Sequence, residues 1–159
     1  MKKILMLDLE GVLFTIDSHA IKGKGIRPGA KEFLQRIIPL FDEVYLNTCV
    51  KKEKAFKIMS EQFGIGGLKY YDGNPGHPFH KSYGYEDFAD AKIYHIEDGA
   101  VDDYQANFAY PERQHILDTD NYFIPVRFWG TMHYKPITED FRAVDNDLER
   151  VLKEVKKLI

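Results

Sequence analysis

One cysteine in 159 residues, Cys49, offers no partner for a disulfide within the chain and no thiolate cage for a metal. It is read as an inert buried residue rather than a nucleophile. Long apolar runs are also missing. The opening MKKILML stops at Asp8, too soon for a signal-peptide core, and nothing approaches the length that spans a bilayer. The expected setting is therefore cytoplasmic, with no membrane partner. Charge of one sign is not in excess: 22 basic and 25 acidic residues interleave to a formal net charge of −3. No cationic stripe of the kind that grips a nucleic-acid backbone stands out. Internal repeats, low-complexity tracts and Ser/Gly linkers are absent as well. With 44% hydrophobic residues, the chain is read as one globular domain over residues 1–159.

What is present alternates between strand and helix. Ile4 to Leu7 reads as a strand apolar on both faces, as expected of a central parallel strand. Gly11 to Arg27, with Gly23 and Gly25, reads as a loop or small flap. Pro28 suits the first turn of a helix whose face is Phe33, Leu34, Ile37 and Ile38, stopped by Pro39. Val44 to Leu46 is a second strand ending at Asn47 and Thr48. Ala55, Phe56, Met59 and Phe63 mark the next helix, closed by Gly64. Leu68 to Tyr71 is a weaker strand, and Ile93 to Ile96 a stronger one ending at Glu97 and Asp98. Tyr122 to Phe128 is a late strand whose Pro125 argues for an edge. Val144, Leu148, Val151, Leu152, Val155 and Leu158 recur at helical spacing. The fold class is α/β: a three-layer Rossmann-like sandwich around a mostly parallel sheet.

In such sheets ligands bind beyond the carboxyl ends of the strands, where strand order reverses. Asp8 and Glu10, Thr48, and Asp98 each follow a strand and fall on that one edge. Three carboxylates converging there repel one another unless a cation sits among them. Hard oxygen ligands that leave room for water and phosphate suit Mg²⁺.

These residues carry a resemblance. DLEGVL resembles the first motif of the haloacid dehalogenase (HAD) superfamily, usually Asp-x-Asp-Gly-x-Leu; VYLNT resembles the second, and IEDGAVDD the fourth. RPGAKEFL and DNDLERVLKEVKKL are similar to segments of the capless branch that includes C-terminal-domain-type protein phosphatases. The resemblance implies a Mg²⁺-dependent phosphatase. Asp8 would be the nucleophile that becomes an aspartyl phosphate, and Thr48 a phosphate hydrogen-bond donor. Asp8, the Glu10 backbone carbonyl and Asp98 would hold the metal. Lys81 is read either as the cation of the third motif or as an ordinary surface lysine. Its rival Lys92 precedes a strand, which places it at the opposite edge, about 15 Å away.

Other readings stand beside these. Thr48 also suits the cap of the helix that follows. Asp98 and Asp102 also suit a turn around Gly99, and Asp102 is read as supporting the site rather than binding metal. His77 and His80 have zinc-like spacing without further ligands nearby, and are read as solvated loop residues.

Glu10 departs from the family's usual aspartate, the group that protonates the leaving group and then activates water. Its stem is one methylene longer, and a displacement of about 1 Å can cost roughly 100-fold in rate. A binding module without turnover is thus the main alternative. A phospho-accepting receiver domain would carry its phosphoacceptor after strand three, whereas the later acid here follows a fourth strand. The intervals from Asp8 to Thr48 and from Thr48 to Lys81 leave no space for a large cap. The expected partner is a phosphorylated substrate, small molecule or macromolecule, reaching an open site. The segment from Asp102 to Asp120, with Tyr104, Phe108, Tyr110, Arg113 and His115, is read as packing onto the domain, or else as a wall of that site. Neither the substrate nor the oligomeric state is legible.

Overall fold

The computed structural model describes residues 1–72, 88, 90–98, 122–127, 129 and 146–159. Strand β1, Lys2–Leu7, becomes more enclosed along its length, and Ile4 to Leu7 are all buried. A strand apolar on both faces belongs in the middle of a sheet. β1 accordingly pairs on one side with β2, Glu43–Leu46, and on the other with β4, Ala91–Asp98. β3, Lys69–Tyr70, lies outside β2, and β5, Tyr122–Val126, outside β4. The order is β3-β2-β1-β4-β5, and every pairing is parallel. Among the described residues the strand that carries Pro125 ends the sheet, where a missing N–H does least harm.

Four helices accompany the sheet among the described residues: α1 (Asp17–Ala20), α2 (Ala30–Ile37), α3 (Lys52–Phe63) and α4 (Asp147–Leu158). The segment expected to be a plain flap therefore contains one helical turn, α1. Pro28 does not enter the first turn of α2. Gly29, at φ 81°, stands between them, and the helix starts at Ala30. Pro39 does not end the helical path at once either, because a 3₁₀ turn, Ile38–Leu40, follows α2. Val144 lies outside the described residues, as does Phe128.

The apolar faces of α2, α3 and α4 pack together on one face of the sheet. Phe33, Leu34, Ile58, Met59, Val151 and Leu152 share one core with Leu5, Leu7, Leu46, Tyr94 and Ile96. Handedness explains the shared face. Right-handed crossovers from β1 to β2 and from β2 to β3 run in the same direction, so α2 and α3 must land on the same side. The opposite face holds a smaller cluster of Ile4, Met6, Tyr71 and Ile93, against which Tyr45 and Phe88 pack. The described helices thus make one layer against the sheet; a second helical layer, expected from the sequence, is not among the described residues. No helix among the described residues is long and apolar enough to cross a membrane.

Candidate metal centre

The chain runs outward from β1 to β3 and then returns to the far side of β1 with β4, so strand order reverses between β1 and β4. Their register sets Leu7 opposite Ile96, and the Asp8 N–H donates to the Ile96 carbonyl at 3.0 Å, which carries the ladder one step further. Asp8 and Glu97 are therefore level. Side chains alternate along a strand, so Ile4, Met6 and Asp8 share one face with Ile93, His95 and Glu97. Asp98, the last residue of β4, completes the group. Asp8, Glu97 and Asp98 each offer a carboxylate oxygen within 4.8 Å of the others.

Burial gives this grouping its weight. Asp8 is 4% exposed, Glu97 3%, and Asp98 is half-buried. Two unit charges about 4 Å apart repel by about 4 kcal/mol at an effective dielectric constant near 20. A divalent cation or a proton offsets that repulsion, and three hard oxygen donors at this spacing could hold a cation of the Mg²⁺ kind.

Asp8 and Asp98 thus come together as their positions in the sequence require. The third carboxylate is Glu97 and not the side chain of Glu10. Glu10 is half-buried, and its Oε1 accepts the Asp17 N–H at 3.2 Å, at the start of α1. Its carboxylate is used within the flap, which the Thr15 N–H closes by donating to the Gly25 carbonyl at 2.9 Å. Gly25 has φ 66°, and a Cβ there would collide with Thr15 Oγ1. Glu97 is not among the acids expected at this edge, because the apolar run stops at Ile96. The signal was the acidic pair at the end of a strand buried on both faces, where one acid must turn to each side.

Thr48 is 3% exposed at the same edge, and the neighbouring Asn47 N–H donates to the Leu7 carbonyl at 2.8 Å. Thr48 does not cap α3, whose N-cap is Lys51. Its Oγ1 accepts the Val50 N–H at 3.1 Å, and the Tyr70 hydroxyl fastens this turn by donating to the Val50 carbonyl at 2.6 Å. Because Oγ1 accepts there, the hydroxyl proton is left to donate elsewhere. Cys49, expected to be buried, is exposed. Lys81, His77, His80, Gly99, Asp102 and the segment to Asp120 lie outside the described residues. Lys92 sits near the start of β4, opposite Lys3, with Nζ 4.5 Å from the Tyr122 ring centroid. It belongs to the other edge, as its sequence position suggests.

Arg27, also missed, is buried behind the loop that follows β1. It is 1% exposed and donates from Nη1 to the Val12 carbonyl at 3.2 Å and the Arg127 carbonyl at 2.9 Å. The Trp129 N–H donates to the Gly11 carbonyl at 2.7 Å, and the Arg27 guanidinium lies 5.9 Å from the Trp129 ring centroid. The Arg127 N–H in turn donates to Asp147 Oδ2 at 2.6 Å. Burial pushes the Asp147 carboxyl up, but hydrogen bonds from Arg150 and the Arg127 N–H, with the charges of Arg150 and Arg27, outweigh it and hold the group below its ordinary value. The loop carrying Glu10 is thereby fastened to the exit of β5 and the start of α4.

Comparison with protein-family models, with curated proteins and with solved structures gives no match.

Proposed function

We propose that this chain is a Mg²⁺-dependent phosphohydrolase of the haloacid dehalogenase type, without a large cap domain, that transfers a phosphoryl group to Asp8. The observation that carries the reading is the meeting of Asp8, Glu97 and Asp98 within 4.8 Å at the reversal of strand order. The first-motif and fourth-motif resemblances fall on those same residues. Between Asp8 and Thr48 the chain holds the flap, α2 and the 3₁₀ turn, with no inserted domain. A site without a large cap would admit a phosphate carried on a substrate of any size.

Mg²⁺ would be held by Asp8, Asp98 and the Glu10 carbonyl, with Glu97 beside them, and when bound it supplies positive charge against the phosphate oxygens. Asp8 attacks phosphorus, so that its carboxylate oxygen gains the P–O bond as the ester bond breaks. Glu10 gives a proton to the leaving oxygen and then accepts one from the water that cleaves the aspartyl phosphate. Thr48 donates its hydroxyl proton to the phosphate. Lys81 is assigned the balancing positive charge on the strength of the resemblance.

Hydrolysis of an aryl phosphate with and without Mg²⁺ tests this. Turnover should require the metal, and Asp8→Asn should lower it by roughly three orders of magnitude or more. Unchanged turnover in that variant sinks the proposal. Glu10 favours a second reading, a binding module, because it replaces the family's usual aspartate and its side chain stands apart from the group formed by Asp8, Glu97 and Asp98. Partner capture that persists in Asp8→Asn, in a chain with no turnover, decides for it.

A further inference from the structure

Glu10 reaches the Asp17 N–H at 3.2 Å, and Asp17 Oδ2 in turn meets Lys54 Nζ at 3.1 Å. Lys54 is in the first turn of α3, the helix that leaves the sheet just beyond Thr48. A second tie lies further down: Gln62 Nε2 donates to the Ile21 carbonyl at 3.4 Å, and a Cβ on Gly23 would crowd Gln62 Oε1 at 3.2 Å. The flap turn α1 is therefore seated on α3 at two points, and the upper one connects directly to the residue gripping Glu10.

We infer that Lys54 is a positioning residue for Glu10, acting through Asp17 and α1; its effect on turnover rests on the phosphohydrolase reading above. A glutamate has one more torsion than the aspartate usual at this place, so its carboxylate needs an anchor that an aspartate could do without. The Asp17 N–H is one such anchor. Lys54 fixes where the anchor stands by pinning α1 to a helix that is itself packed into the core. Removing the lysine lets α1 shift and the Glu10 carboxylate lose its alignment, without touching substrate.

The test combines turnover with an observation independent of it. Aryl phosphate hydrolysis is measured with Mg²⁺ for the wild type, Lys54→Ala, Lys54→Arg, Glu10→Gln and the Lys54→Ala/Glu10→Gln pair. Because a half-exposed ion pair is weak, Lys54→Ala should lower kcat by only about three- to fivefold, with KM unchanged. Lys54→Arg should restore most of that. The double variant should be no slower than Glu10→Gln alone, since a residue that acts through another adds nothing once the other is gone. Hydrogen exchange at the Asp17 amide, followed by NMR, should quicken several-fold in Lys54→Ala while the Leu5 amide in β1 is unchanged. Additive losses, or an Asp17 amide indifferent to Lys54, overturn the inference. If the wild type turns nothing over yet the Asp17 amide responds, the phosphohydrolase reading fails and the clamp stands.

Discussion

At the amino end of the sheet, Lys2 and Lys69 both reach Glu43 Oε1, at 3.2 and 3.0 Å, and the Lys3 N–H donates to Asp42 Oδ2 at 2.7 Å. At the carboxyl end, Asp8, Glu97 and Asp98 gather within 4.8 Å with two of the three enclosed. The same strands thus carry opposite charges paired at the surface on one rim and like charges crowded beneath the surface on the other. The first arrangement is stable with nothing added. The second sets three carboxylates side by side, an arrangement whose like charges a bound cation would offset. The proposed function rests on this difference between the rims.

The largest test of that contrast is Glu97→Gln. Losing one charge from the group should stabilise the metal-free protein by about 1–2 kcal/mol, roughly 3–6 °C in thermal midpoint for a chain of this size. The same change should weaken magnesium uptake about tenfold or more in calorimetry, since groups that support a metal site typically contribute that much. A midpoint that falls without metal, together with unchanged uptake, would mean that the carboxylates are not crowded and that the two rims are alike.

Much of this layout was legible beforehand because periodicity reports burial. The unbroken apolar run of Ile4 to Leu7 required a central strand, and it is one. The spacing of Leu148, Val151, Leu152 and Val155 required an amphipathic helix, and all four are buried in α4. Strand direction then placed Asp8 and Asp98 on one edge. What could not be read depends on pairings between distant segments. Glu97 becomes level with Asp8 only through the parallel register of β1 and β4. Arg27 is buried only because the carbonyls of Val12 and Arg127 arrive to accept its protons. α1 spans four residues, too few for a helical period to show. Glu10, placed by sequence among the metal-facing acids, turns to a neighbouring N–H that no spacing rule announces.

Asp147 joins the two halves of the contrast, being a buried acid that is fully compensated. Its oxygens accept from Arg150 Nε at 2.7 Å and from the Arg127 N–H at 2.6 Å. Because its folded value lies below its ordinary one, the stability it contributes is present above the unfolded value near 3.8 and is lost as pH falls through the lower folded value. Asp147→Asn should therefore cost about 1–2 kcal/mol in denaturant titrations at neutral pH, with the gap to wild type closing as pH drops below about 4. An equal gap at pH 7 and pH 3 would show that packing, not charge, is what this carboxyl contributes.

The smallest effect is expected at Glu43. The Lys69 hydrogen bond does most to hold its carboxyl below the ordinary value; partial burial opposes this, and Lys2 and the Tyr45 hydroxyl reinforce it. Both lysines are more than half exposed, at 52% and 53%, so water and salt screen what they contribute. Glu43→Gln should change stability by no more than about 0.5 kcal/mol at low salt, and the difference should vanish near 1 M salt. As with Asp147, the small gain exists above the unfolded value of 4.5 and disappears as pH falls through the lowered one. Were Glu43→Gln to cost as much as Asp147→Asn, the amino rim would be a tightly coupled charge network in its own right. The contrast between the two rims would then be lost.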